Sequence, residues 1–164
     1  MNTKYYPVAL GIKKCLGIVV GGGRVAQRKA LDLLRAGVKV KIISPTLTIH
    51  LKRLAKTGRI KWVSRPVRRE DLAGAGIIIA ATDQGGINNK VSLWAKRESR
   101  LVNVVDNSAL SNFISPAVFR KAMVIVAVYT DGRDPVLSRD LKNFLKGHWN
   151  EFLSYRRRLQ KRAS

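Results

Sequence analysis

Residues 16–30 read LGIVVGGGRVAQRKA: a short apolar run, three consecutive glycines, then apolar residues at helical spacing. Nothing else in the chain constrains the fold as much, because a strand that turns through glycine straight into a helix opens a βαβ unit. Val25, Ala26, Ala30, Leu33 and Leu34 predict a helix over Val25–Ala36, closed by Gly37 at the left-handed cap position.

The same grammar repeats downstream, as short apolar runs alternating with helical patterns, which predicts a parallel sheet with helices on both faces. Strands are expected at 15–20, 38–43, 60–63, 76–81 and 101–105, with further helices at 48–57 and 87–98. VKVKII alternates and stops at Ser44-Pro45, whereas GIIIAA is solidly apolar, as a strand covered on both faces should be. After 105 the pattern changes. NFISPAVF and MVIVAVYT are strand-like with no helix between them, and so should pair antiparallel. Pro135 should start a helix running to about Lys146; Gly147 interrupts it, and a basic helix or frayed tail follows from His148 to Ser164. The fold class is α/β, a Rossmann-like doubly wound sheet over 1–112, with a small strand and helix element at 113–146 and a basic C-terminal segment at 147–164.

A chain of 164 residues with 46% apolar content can bury one sizeable core and a small annex. No stretch approaches the ~20 apolar residues of a membrane span, and MNTKYYPVAL lacks the apolar centre of a secretion signal, so a cytoplasmic protein is expected. Cys15, the only cysteine, excludes an internal disulfide and a cysteine-built zinc site, and it is read as core. The charge is the unusual quantity: 32 Lys plus Arg against 10 Asp plus Glu gives +22, a potential that attracts polyanions.

Gly21, Gly22 and Gly23 follow a strand and precede a helix, with Ala26 where the third small residue of G-x-G-x-x-G/A belongs. Such glycines allow a tight turn and let the backbone approach a pyrophosphate seated on the helix N-terminus, although a purely structural turn has the same spacing. An acid normally ends strand two and holds the ribose hydroxyls; here Ser44-Pro45-Thr46 stands in that place, which leaves NAD and NADP both open. Ligands of open α/β sheets bind beyond the carboxyl ends of the strands, where Thr82, Asp83 and Asp106 also fall. Asp106 suits a proton acceptor during hydride transfer, and Asp106-Asn107-Ser108 equally suits a turn.

YYPVAL, VVGGGRVAQRKA, AATD, NVVD, FISPAV and DPVLSR occur in that order, and over residues 5–146 the chain resembles precorrin-2 dehydrogenase, the N-terminal module of siroheme synthases. The resemblance implies oxidation of precorrin-2 to sirohydrochlorin with NAD, and in some members insertion of ferrous iron. It places NAD on Gly21, Gly22, Gly23, Arg24 and Val25 and on Ser44, Pro45 and Thr46, with Thr82 and Asp83 beside them, and it puts the catalytic aspartate at Asp106. Precorrin-2 carries acetate and propionate arms, so a basic cleft would suit it. Arg120, Arg133 and Arg139 are candidate carboxylate contacts, with Thr130 in the turn before the last helices. A homodimer is expected, since the element after residue 112 is too small to bury its apolar face alone and the family pairs through this region.

Three departures qualify the match. Full-length members continue with a helical region that helps roof the tetrapyrrole site, so here that roof is expected to be missing or supplied by a partner. Tyr129-Thr130-Asp131-Gly132 replaces a serine-glycine-glycine turn. Only His50 and His148 could bring imidazole to iron, and both read as surface residues; no metal site is expected. A dinucleotide- or tetrapyrrole-binding regulator without turnover, a bifunctional dehydrogenase and chelatase, and a nucleic-acid binder using Arg156, Arg157, Arg158 and Lys161 are the competing readings. No helix-turn-helix or RNA-stacking motif supports the last of these, and a solvated helix end is the plainer reading of that tail.

Overall fold

A computed structural model describes residues 5–105 and 107–163, which divide into two compact units. The first, Pro7–Ile114, holds a five-stranded sheet of β1 (Leu16–Val20), β2 (Lys39–Ile43), β3 (Lys61–Val63), β4 (Ala75–Ala80) and β5 (Leu101–Val104). Its order is β3-β2-β1-β4-β5 and every pairing is parallel. The chain therefore leaves β1 toward one edge, returns, and builds the other half, which puts the topological switch beside the end of β1.

Residue alternation divides the sheet's side chains between two cores. Val19, Val40, Ile42, Ile77 and Ile79 pack with Ala26, Ala30 and Leu33 of helix α1 (Arg24–Arg35) and Leu51 of α2 (Ile49–Lys56). Ile18, Val20, Ile43, Ile78, Ala80, Val102 and Val104 pack with Val91 and Ala95 of α3 (Gly85–Arg97) and with Leu72. Both central strands need apolar residues in both registers, which is why GIIIAA shows no alternation. The helix ends are set locally: Gly37 at φ +76° lets Val38 N–H donate back to the Leu33 carbonyl (3.1 Å), and Thr48 Oγ1 caps α2 by accepting from Leu51 N–H (3.3 Å).

Boundaries differ from the sequence expectation by a residue or two at most elements. Cys15 precedes β1 and is only half-buried, since the first position of the run sits at the sheet's rim. Among the described residues no helix is long and apolar enough to cross a membrane.

The second unit contains the segment from Ser115 on, together with Tyr5 and Tyr6. Its strands, β6 (Ala117–Lys121) and β7 (Val124–Val128), form an antiparallel hairpin with Ala117 opposite Val128. NFISPAVF is strand only in its second half. Asn112 is held by side-chain bonds to β5 instead, its Oδ1 accepting from Val102 N–H and its Nδ2 donating to the Arg100 carbonyl. Helix α4 (Pro135–Gly147) is capped by Asp134, and α5 (Trp149–Ala163) follows after His148. Gly147 belongs to α4, and the break falls one residue later than expected.

Candidate active site

A cleft of about 680 Å³ opens at the carboxyl end of the five-stranded sheet. Gly21, Gly22, Gly23, Arg24, Val25, Ser44, Pro45, Thr46, Thr82 and Asp83 all line it, so the structure brings the ten residues singled out for cofactor together in one place. Asp106 lies outside the described residues; Val105, its chain neighbour, lines the cleft.

The three glycines are there for different reasons. Gly21 has φ +115°, and a Cβ on it would lie 2.3 Å from the Ala81 carbonyl oxygen of the β4 exit. A Cβ on Gly22 would lie 1.8 Å from the carbonyl oxygen of Thr46. These two are excluded from larger residues by the protein's own packing, which stitches the turn to its neighbours: Gly21 N–H donates to the Ile43 carbonyl (3.0 Å) and Thr48 N–H to the Gly22 carbonyl (3.0 Å). Gly23 is another matter. A Cβ there would meet no protein atom within 4 Å, and it would project into a space that the protein leaves open.

Gly23 is also the N-cap of α1 and can offer no side chain to the first N–H groups, nor does an acid stand in the first turn. The α1 N-terminus thus presents its dipole and donors to the cleft. That combination fits a diphosphate, since a Cβ-free approach and uncapped donors are what a phosphate oxygen requires.

On the β2 side, Ser44 is buried (8% exposed) yet lines the cleft, and its carbonyl accepts from Trp62 Nε1 (2.9 Å). No carboxylate stands among the lining residues of that side, where Pro66 and Val67 complete the wall. Behind them Asp71 collects donors: both Arg65 Nη atoms at 2.7 Å and Arg68 N–H at 2.8 Å. The Arg65 guanidinium holds the Asp71 carboxyl below the usual range, against an opposing effect of burial. Lys41, whose Nζ donates to the Asp71 backbone carbonyl (2.7 Å), is pushed down by burial, with the Asp71 charge opposing and Lys61 and Arg65 adding to the shift.

On the β4 side, Thr82-Asp83-Gln84 forms a turn locked by Asn88, a residue 1% exposed. Its Oδ1 accepts from Thr82 N–H (3.2 Å) and Oγ1 (2.8 Å), and its Nδ2 donates to the Thr82 carbonyl (3.0 Å). Asn88, Gln84, Pro66 and Val67 were missed in the sequence reading. A buried asparagine in the first turn of α3 was the available signal for Asn88; nothing local marked the other three.

The substrate candidates lie in the second unit. Thr130 Oγ1 is engaged within its own turn, donating to the Asp134 carbonyl (2.6 Å) or to Ser138 Oγ (2.8 Å) and accepting from Asp134 N–H (3.1 Å). Arg133 stands 3.7 Å from Asp131, and Arg139 Nε 3.0 Å from Asp140. Arg120 is exposed on β6. Among the described residues no group of three or more His, Cys, Asp or Glu could hold a metal ion.

Comparison with known proteins agrees with this geometry. The family model described as "Putative NAD(P)-binding" matches residues 8–117. The siroheme synthase of Photorhabdus laumondii is 37% identical over 142 residues, which is 87% of this chain and 30% of that protein. The siroheme synthase of Nitrosomonas eutropha is 40% identical over 139 residues, 84% of this chain and 29% of that protein. The chain thus spans under a third of the length of these relatives. Among solved structures, "SirC, precorrin-2 dehydrogenase" superposes with a TM-score of 0.79 at 28% identity, covering 88% of this chain and 71% of that one. With the cleft, the parallel sheet and these likenesses in agreement, the chain belongs to the NAD(P)-binding family of precorrin-2 dehydrogenases and siroheme synthase N-terminal domains.

Proposed function

We propose that this chain is an NAD-dependent dehydrogenase that oxidises precorrin-2 to sirohydrochlorin. The observation that carries the reading is the open, uncapped N-terminus of α1 at Gly23, in a cleft with room for a dinucleotide. Backbone N–H groups from Gly23 to Val25 hold the pyrophosphate, with Arg24 adding positive charge. Ser44 Oγ and the backbone of Pro45 and Thr46 hold the adenosine ribose. Thr82, fixed by Asn88, and its neighbour Asp83 border the nicotinamide half. Bound nicotinamide supplies the hydride acceptor. The reaction also releases a proton, and Asp106, which follows the cleft-lining Val105, is the residue assigned to take it.

The substrate's carboxylate arms suit a chain of net charge +22, and Arg120, Arg133 and Arg139 are the proposed contacts, with Thr130 ordering the turn that carries Arg133. Met123 (96% exposed), Ile125 (62%) and Phe144 (57%) leave an apolar surface on the hairpin and α4, which supports a homodimer formed through this unit. The test is anaerobic mixing of the protein with precorrin-2 and NAD. Sirohydrochlorin absorbance should grow with NADH; a protein that binds NADH but gives no sirohydrochlorin is a binder without turnover.

A further inference from the structure

Pro66 and Val67 wall the cleft on the β2 and β3 side; Val67 packs on the core that holds Ile18, Ile43 and Leu72, but no strand pairing fixes the backbone of either residue. They lie between β3 and Leu72, in a segment with short-range backbone bonds from Arg65 N–H to the Val63 carbonyl (3.0 Å) and from Asp71 N–H to the Arg68 carbonyl (3.1 Å), and Pro66 has no N–H to give. Side-chain bonds on both sides of these two residues come from the carboxylate of Asp71. It grips the Arg65 guanidinium through two parallel bonds of 2.7 Å and accepts Arg68 N–H at 2.8 Å, so it closes the loop on both sides of Pro66 and Val67. Arg65 Nη1 donates as well to the Pro66 carbonyl (2.9 Å). Lys41, from β2, reaches the Asp71 backbone carbonyl (2.7 Å) and ties the assembly to the sheet. The Asp71 side chain is 10% exposed and that of Arg65 35%, so the pair is shielded enough to hold a single geometry.

We infer that Arg65 and Asp71 are positioning residues for dinucleotide binding: their two-bond ion pair sets the Pro66 and Val67 wall of the adenosine half before ligand arrives. The inference rests on the reading of this cleft as a dinucleotide site. Neither residue touches the cleft itself. They act through the wall, by removing an ordering cost that binding would otherwise carry.

The test is titration of the whole chain with NADH and, separately, with ADP, for the parent, Arg65→Ala, Arg65→Lys and Asp71→Asn, with melting temperatures measured alongside. In Arg65→Ala and Asp71→Asn, Kd for NADH and for ADP should rise by the same factor, about tenfold, the order of re-fixing one backbone residue on binding. Arg65→Lys keeps the charge but loses the fork, so it should fall between parent and alanine. A folded Arg65→Ala that binds both ligands as the parent does, with only a lower melting temperature, overturns the inference. So does weakening of NADH with ADP unchanged, since the wall would then not serve the adenosine half. A parent chain that binds neither ligand removes the dinucleotide reading, and the latch with it.

Discussion

Gly23→Val separates what the glycine turn does for the fold from what it does for a ligand. The protein has no atom within 4 Å of the new Cβ, so the folded state should accept the side chain. The expected loss is that of a poor N-cap residue, about 1 kcal/mol, or roughly 2–4 °C in a chain of this size. Binding should suffer far more, because the branched side chain occupies the space through which a phosphate oxygen reaches the α1 N–H groups. Loss of one charge-assisted bond of that kind costs about 1.5–3 kcal/mol, which weakens Kd by roughly 10- to 150-fold. Gly22→Ala is the control with the opposite signature. Its Cβ would stand 1.8 Å from the Thr46 carbonyl oxygen, so backbone must move, at about 1–3 kcal/mol or more, and the melting temperature should drop accordingly. The assay is thermal melting with and without NADH. Ligand at about 100 times Kd adds ~2.7 kcal/mol to the parent's stability. Gly23→Val should melt within a few degrees of the parent, and the same ligand concentration should add only about 0.3–1.4 kcal/mol to its stability. If it gains as much as the parent does, the diphosphate does not lie on this turn and the reasoning from Gly23 fails.

Asp106→Ala should slow single-turnover oxidation of precorrin-2 by about 10²-fold with NADH affinity little changed, and Asp106→Asn should be nearly as slow because an amide keeps the shape without the basicity. Parent-rate oxidation by the Asn variant would remove the catalytic assignment. Asp71 has its carboxyl held below the unfolded value of about 3.9, so its contribution to stability is full above that pH and is lost as pH falls through the folded value. The stability difference between parent and Asp71→Asn, followed by denaturant melts, should therefore be flat near neutrality and shrink below about pH 4. Light scattering at micromolar concentration should give a dimer, and Phe144→Glu, which charges the exposed face of α4, should give a monomer that still binds NADH.

The sequence alone determined the class of fold, because period-two and solid apolar runs alternating with helical stripes have one economical solution, a parallel sheet with two covered faces. It also determined most of the cleft. The residues at the ends of β1, β2 and β4 must meet once those strands are neighbours and parallel, so Gly21–Val25, Ser44–Thr46 and Thr82-Asp83 could be named from their place in the chain. What only the tertiary structure decided are features that depend on atoms far apart in sequence. Three adjacent glycines look alike as letters; that two are required by the Ala81 and Thr46 carbonyls and the third faces open space follows from the packing of three loops. Pro66 and Val67 carry no motif, and they stand in the wall where Val67 packs on the core beneath β1 and β2 and Arg65 pairs with Asp71 beside it. The start of β6 at Ala117 rather than Asn112 was likewise settled at a distance. Asn112 has strand-like neighbours, but its amide pairs with β5, and a local pattern cannot register the stronger claim of an edge strand ten residues upstream.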